Sequence, residues 1–215
     1  MSSYPELKQR IESTIAENNG DGRKLIAIAG PPASGKSTLL AAIVQSLQKQ
    51  FGEERVVGIP MDGFHLDNDQ LDLDGSRARK GAPDTFDVGG IQSLVLRLGT
   101  KESPIYAPEF DRASDLSRNC AIKIDSQHDV VLIEGNYLLL DGPGWKDLSQ
   151  HFDLTVRIDV PVNTLRERLV QRWLHHGLDE DAATKRALSN DIPNAETVLS
   201  QSTEADFVYR PEILK

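Results

Sequence analysis

A single cysteine, Cys120, stands in a chain of 215 residues, so no disulfide can close within it. Such sparse cysteine fits a reducing compartment, and a cytoplasmic protein is expected. Basic residues are also short: 24 Lys and Arg face 33 Asp and Glu, a formal net charge of −9. A general nucleic-acid binder wants a basic face, so no nucleic-acid partner is expected, although a local basic pocket for phosphates remains allowed. No apolar run approaches the ~20 residues needed to cross a bilayer, so no membrane partner is expected either. Residues 1–7 lack the basic and apolar regions of a secretory signal. Internal repeats and low-complexity tracts are missing, and the length fits one α/β domain over 1–215. The lone cysteine, in Asn119-Cys120-Ala121-Ile122, reads as a small buried hydrophobe on a strand.

What the chain does have is Gly30-Pro31-Pro32-Ala33-Ser34-Gly35-Lys36-Ser37, with Thr38 following, a complete Gly-x-x-x-x-Gly-Lys-Ser loop. The apolar run 24–29 precedes it and the helix-forming run 38–44 follows, and this strand–loop–helix setting separates a phosphate-binding loop from a chance glycine pattern. Gly30 and Gly35 let backbone amides converge on a β-phosphate. The next helix adds its positive end. Lys36 can reach the β- and γ-phosphates, the Ser37 hydroxyl can ligate Mg²⁺, and Pro31 and Pro32 stiffen the loop. A nucleoside triphosphate with magnesium is therefore the expected ligand of residues 30–38.

The rest of the pattern alternates. An amphipathic helix is expected over 5–18, ended by Asn19-Gly20-Asp21-Gly22; strands over 24–29, 55–60, 121–124, 129–135 and 154–160; and a helix over 88–98. The run 129–135 is nearly all apolar, as in a central parallel strand buried on both faces. Residues 61–87 read as site-forming loops with a short helix, 105–118 as a loop, and Asp67-Asn68-Asp69 to Gly75 as an acidic loop without EF-hand spacing. After Pro161 a charged helix carries Leu165, Leu169 and Trp173 at helical spacing, and helix continues over 179–200 with a break near Pro193. The expected fold is an α/β three-layer αβα phosphate-binding-loop domain with a mostly parallel central sheet and a helical lid at about 161–190.

Three further places bear on the chemistry. Met61-Asp62-Gly63-Phe64-His65 follows the second strand, and ligands bind at the carboxyl ends of parallel strands. Asp62 there can take the proton of an acceptor hydroxyl; the bland alternative is a turn aspartate before glycine. Glu134 ends the buried strand, where it can support Mg²⁺ or cap the next segment. Arg168 and Arg172 share a helix face and can neutralise a moving phosphoryl group, or form an ordinary charged face with Arg166. His175 and His176 point apart and read as a solvent-exposed helix end.

These marks, with Lys80-Gly81-Ala82-Pro83-Asp84-Thr85-Phe86-Asp87, resemble the kinase family of uridine kinase, phosphoribulokinase and type I pantothenate kinase, over roughly residues 22–210. The chain looks most like compact bacterial nucleoside/nucleotide kinase-like or fructose-transport-associated kinases. The resemblance implies ATP as donor, Asp62 as base, Lys80 near the phosphates, Glu134 assisting magnesium, and Arg168 and Arg172 as lid residues. It also implies a substrate pocket reached by Phe64 and His65. Pantothenate kinases carry Tyr-x-His where this chain has Phe110-Asp111-Arg112. An arginine in that pocket favours an acidic or phosphorylated acceptor, unless Arg112 pairs with Asp111 or Asp115. The expected activity is ATP-dependent phosphorylation of a small-molecule hydroxyl: a sugar or sugar phosphate, pantothenate or a nucleoside, in that order. The alternatives are a binding-only protein and a regulatory NTPase; for the latter, Asp72-Leu73-Asp74-Gly75 does not follow an apolar strand, and Asn-Lys-x-Asp is missing. A homodimer is left open.

Overall fold

A capping box starts the first helix, α1 (Tyr4–Ala16): Ser3 Oγ accepts from the Glu6 amide at 3.4 Å, and Glu6 Oε2 accepts from the Ser3 amide at 2.6 Å. The computed structural model describes residues 3–17, 22–100 and 102–212, so the expected stop at Asn19-Gly20-Asp21 lies outside the described residues. After α1 come β1 (Lys24–Ala29), α2 (Lys36–Phe51), β2 (Val56–Pro60), α3 (Asn68–Leu73), α4 (Val88–Leu98), β3 (Ile105–Asp111) and β4 (Leu116–Ile124). Then follow β5 (Val130–Gly135), β6 (Leu154–Ile158), α5 (Val162–His175), α6 (Glu180–Arg186), α7 (Ile192–Gln201) and β7 (Phe207–Tyr209).

Five parallel strands form the central sheet in the order β2-β5-β1-β6-β7. Strand alternation makes two cores. Leu25, Ala27 and Ala29 face one way with Val131 and Ile133, packing on Ile91, Leu94 and Leu98 of α4. Ile26 and Ile28 face the other way with Val130 and Leu132, under Leu7 and Ile11 of α1 and Leu40, Ile43 and Leu47 of α2. Helices thus cover both sides of a sheet whose central strands have no polar face, the three-layer arrangement expected from the sequence. Among the described residues no helix is long and apolar enough to cross a membrane.

Five expectations need correction. Residues 105–118 are not a loop, and 121–124 do not join the central sheet: β3 and β4 pair with each other in a separate antiparallel hairpin. Pro108 masks β3 in the sequence, and the register shift between Ala107 and Glu109 accommodates it. Cys120 is exposed rather than buried; its φ of 55° breaks the strand geometry, and its amide donates to Asn119 Oδ1 at 2.9 Å. The acidic run is the helix α3, whose N-cap Asp67 accepts from the Asp69 amide. The helix does not break at Pro193. A π-helical turn over Ala187–Asp191 comes first, and Pro193 then sits in the opening turn of α7, where its missing N–H leaves no bond unmade. The short edge strand β7 was not foreseen.

Candidate active site

Parallel strands that are neighbours in a sheet end side by side. The carboxyl end of β1 runs into residues 30–37, that of β2 into a 3₁₀ turn at Met61–Phe64, and that of β5 holds Glu134. Because β5 lies between β2 and β1, three segments distant in sequence meet at one edge. They line a cavity of about 620 Å³ that takes in Lys36, Ser37, Asp62 and Glu134.

The loop is preset for an anion. Gly35 is left-handed at φ 93° and Ala33 at φ 61°. Gly35 offers no side-chain cap to α2, whose first intrahelical bond runs from Leu39 N–H to Gly35 C=O at 2.9 Å. The amides of Lys36, Ser37 and Thr38 therefore have no helical acceptor and stand at the positive end of the dipole. Ser34 Oγ is buried and, among the described residues, has no hydrogen-bond partner. Lys36 Nζ donates to the Pro31 carbonyl at 3.1 Å, a weak hold on a buried ammonium. Burial pushes its pKa down, and Glu134 and Asp62 pull it back up. Pro32, Ala33, Gly35 and Thr38 line the cavity, whereas Gly30 lies behind it, where a Cβ would sit 2.9 Å from Ser34 Oγ and 3.1 Å from Ile158 Cβ.

Glu134 is only 3 % exposed and accepts from Ser37 Oγ at 2.7 Å. Burial raises its pKa, against Lys36. Among the described residues no group of three His, Cys, Asp or Glu could cage a metal. Magnesium held jointly with phosphates needs no such cage, because it keeps waters and takes one or two protein oxygens. The Ser37–Glu134 oxygen pair beside the anion cradle fits it.

The hairpin of β3 and β4 closes the opposite wall. Arg112, just past β3, pairs neither with Asp111 nor with Asp115: its Nη2 donates to Asp62 Oδ2 at 3.0 Å. Phe110 lines the cavity. Lys80 does too, but its three donors are taken by Asn68 Oδ1 (2.7 Å), Asp115 Oδ1 (2.9 Å) and the Asp115 carbonyl (3.0 Å), so it ties the hairpin turn to α3. Phe64 is packed in the core and does not line the cavity. His65 does line it, stacked between Phe86 and Phe110 at centroid distances of 4.1 and 4.8 Å.

His65 Nδ1 lies 2.8 Å from the Asp62 carbonyl, which only accepts, so the ring carries its proton on that nitrogen. Burial lowers its pKa from the ordinary 6.5. The unfolded chain then binds the proton more readily, so this contribution is whole above about 6.5 and is lost as the pH falls toward the depressed folded value. Urea unfolding at pH 7.5 and 5.5 should show a stability loss on acidification that is smaller in His65→Gln. An equal loss in both proteins would remove His65 from this role.

On the α5 side, Arg168 and Arg172 do separate jobs. Arg168 Nη1 donates to the Ala33 carbonyl at 3.2 Å, bracing the phosphate loop, while Arg172, one turn later, lines the cavity. His176 is exposed, as expected, but rims the cavity beside Trp173, whose Nε1 donates to Asp191 Oδ2 at 2.5 Å. The Lys80–Gly81 turn is pinned from two sides: Asn190 Nδ2 donates to the Lys80 carbonyl at 2.9 Å, and Tyr137 OH to the Gly81 carbonyl at 2.6 Å. Tyr137 is fully buried and Gly81 half-buried at the cavity wall, so Tyr137→Phe removes this one hydrogen bond. Urea unfolding should show a loss of about 0.5–1.5 kcal/mol.

Sequence reasoning missed Asp115, Tyr137 and Trp173 as site-building residues. Trp173 carried a signal only as a core position at helical spacing. Asp115 and Tyr137 carried none, since their partners lie 35 and 56 positions away.

The chain also matches known proteins. The family described as "Phosphoribulokinase / Uridine kinase family" matches residues 25–210. A Schizosaccharomyces pombe protein named as a candidate uridine kinase is 36% identical over 223 residues, covering 100% of this chain and 93% of its own. A pantothenate kinase of Afipia carboxidovorans is 27% identical over 214 residues, covering 86% of this chain and 67% of its own. Among solved structures, a candidate fructose transport system kinase from Silicibacter sp. TM1040 superposes with a TM-score of 0.88 at 43% identity, over 94% of this chain and 97% of that one. The matched span begins one residue into β1 and ends just past β7, enclosing the phosphate loop, Asp62, Glu134 and the α5 arginines, and the chain belongs to the phosphoribulokinase/uridine kinase family of P-loop kinases.

Proposed function

We propose that the protein transfers the γ-phosphoryl group of Mg·ATP to a hydroxyl of a small molecule. The observation that carries this reading is Asp62: a carboxylate, its side chain 28% exposed, in the cavity that also holds Lys36, Ser37 and Glu134. An NTPase that only hydrolyses or switches has no need of an acceptor wall, and the hairpin whose Phe110, Arg112 and Asp115 line the cavity supports the reading as a kinase with one.

In this reading Lys36 and the amides of residues 36–38 hold the β- and γ-phosphates. Magnesium, when bound, supplies charge that neutralises their oxygens, and Ser37 and Glu134 would hold it. Asp62 orients the acceptor hydroxyl and takes its proton as the acceptor oxygen bonds to the γ-phosphorus and the bond to the β,γ-bridging oxygen breaks. Arg172 faces the transferring group, and Arg168 keeps the loop in place beneath it. His65 and Phe110 form an aromatic wall for the acceptor, and Lys80 shapes that wall. The named relatives support a sugar or sugar phosphate, pantothenate or a nucleoside as acceptor.

The test is ADP release from Mg·ATP with and without sugars, sugar phosphates, pantothenate and nucleosides, with the phosphorylated product identified by mass. Stimulation by one acceptor, with its phosphate formed, is the expected result. Fast ADP release that no acceptor stimulates would move the protein to the regulatory NTPases.

A further inference from the structure

Two asparagines stand about a turn apart where the π turn runs into α7, and the fold uses only one of them. Asn190 is 5% exposed and spends its amide on the Lys80 carbonyl at 2.9 Å. Asn194 is 7% exposed, and among the described residues its side chain makes no hydrogen bond. Asn194 lines the cavity and Asn190 does not. The polar atoms sealed away without a partner among the described residues do not include the Asn194 amide, which therefore opens on the cavity rather than into the core. Asparagine is a poor helix former, and a largely buried amide without a partner costs free energy, so the fold gains nothing from this side chain.

The polar groups beside it are already committed. Gly81 is its neighbour: a Cβ on Gly81 would sit 3.9 Å from Asn194 Nδ2. The Gly81 amide donates to Thr85 Oγ1 at 2.9 Å, and its carbonyl accepts from Tyr137 OH. The Lys80 carbonyl is taken by Asn190. The same turn reaches the hairpin through Lys80 Nζ and Asp115, so Asn194 stands against the hairpin side of the cavity. We infer that Asn194 binds the acceptor and sets which acceptors are taken. This inference rests on the kinase reading and deepens it. A carboxamide is uncharged and offers two N–H donors and a carbonyl. Its complement is a neutral group that both donates and accepts: an amide, or a hydroxyl other than the one phosphorylated. An acceptor lacking that group leaves the amide unpaired inside the closed complex and is rejected.

The test sets Asn194→Leu beside Asn190→Leu. Leucine keeps the branched shape of the side chain and removes its hydrogen-bonding atoms. In urea unfolding without ligand, Asn190→Leu should lower the midpoint, because the Lys80 carbonyl loses its donor, and Asn194→Leu should leave it unchanged or raised. A midpoint that falls as far in Asn194→Leu makes the amide structural and overturns the inference. Phosphorylation of fructose, pantothenate and uridine by Mg·ATP gives the second readout. For the acceptor turned over, Asn194→Leu should raise KM about 10–10²-fold, with kcat and the KM for ATP within about twofold, as when a contact made equally in the bound and transition states is lost. An unchanged acceptor KM, or a raised KM for ATP in its place, overturns the inference. Singly deoxygenated fructose and uridine and N-methylated pantothenate then find the group that is read. The analogue lacking it should lose the same factor with the wild type and nothing further with Asn194→Leu, and whether it is a deoxygenated or an N-methylated one distinguishes hydroxyl from amide. Equal losses with both proteins for every analogue overturn the inference while leaving the kinase reading intact; ADP release that no acceptor stimulates overturns that reading instead.

Discussion

Asp62→Asn should lower kcat for acceptor phosphorylation by at least ~10²-fold and leave the affinity for ATP unchanged. The two effects separate because the residue stands on a different strand end from the phosphate loop. Asp62 follows β2, while Lys36 and Ser37 follow β1, with β5 between them. Asparagine keeps the volume of the side chain and can still accept from Arg112, so the 3₁₀ turn and the hairpin stay in place. What it loses is the capacity to take a proton as the new bond forms. A group that acts only in the transition state lowers kcat and kcat/KM together, with KM little changed. Single-turnover phosphorylation measures the first quantity and calorimetric titration of ATP the second. Retained turnover would remove Asp62 from the chemistry, and lost ATP binding would make it a structural support of the nucleotide site.

The phosphate-loop half of the candidate site was readable in the sequence because its signals are local. Residues 30–37 carry the loop in one stretch, and Asp62 and Glu134 each follow an apolar run that could only be a strand. Once three such strands are parallel, their ends must gather. The opposite half, walled by the hairpin, was not readable, for physical reasons that differ by element. In β3, Pro108 and the charged Glu109 erase the alternation that marks a strand, because the hairpin is open to solvent along most of β4. That same openness leaves Cys120 exposed on a strand that looks apolar. Proline normally ends a helix, but a π turn at Ala187–Asp191 lets α6 run on into α7 and delivers Asn190 to the Lys80 carbonyl. The choice of Asp62 as the partner of Arg112, over Asp111 and Asp115 nearby in sequence, is made by how the hairpin docks, over a separation of 50 residues.

That docking depends on a missing side chain, and Gly63→Ala should undo it. Gly63 follows Asp62 in the 3₁₀ turn, and β3 crosses directly over it. A Cβ there would lie 2.3 Å from the Pro108 carbonyl oxygen, 2.6 Å from its carbon and 2.9 Å from the Glu109 amide nitrogen. All three are backbone atoms, so no rotamer change relieves the clash, and either the turn or the hairpin must shift. The turn is the more constrained of the two. Met61 is buried in the core, the Phe64 carbonyl accepts from the Asp87 amide at 2.8 Å, and the Leu66 amide donates to the Thr85 carbonyl at 3.0 Å. Among the described residues the hairpin strands pair only with each other, and although Ile105, Ala107 and Ile124 anchor them in the core, the hairpin is the part expected to shift. Overpacking of this kind should destabilise the fold by about 1–3 kcal/mol in urea unfolding. The larger effect falls on the acceptor. Phe110 and Arg112 ride on the displaced strand end, and misplacement by about 1 Å is enough for a loss near 10²-fold in acceptor kcat/KM. ATP affinity should stay within about twofold, since residues 30–38 belong to the other wall. Equal losses for ATP and acceptor would mean that the hairpin braces the whole cavity; a loss confined to the acceptor identifies it as the wall that reads the substrate.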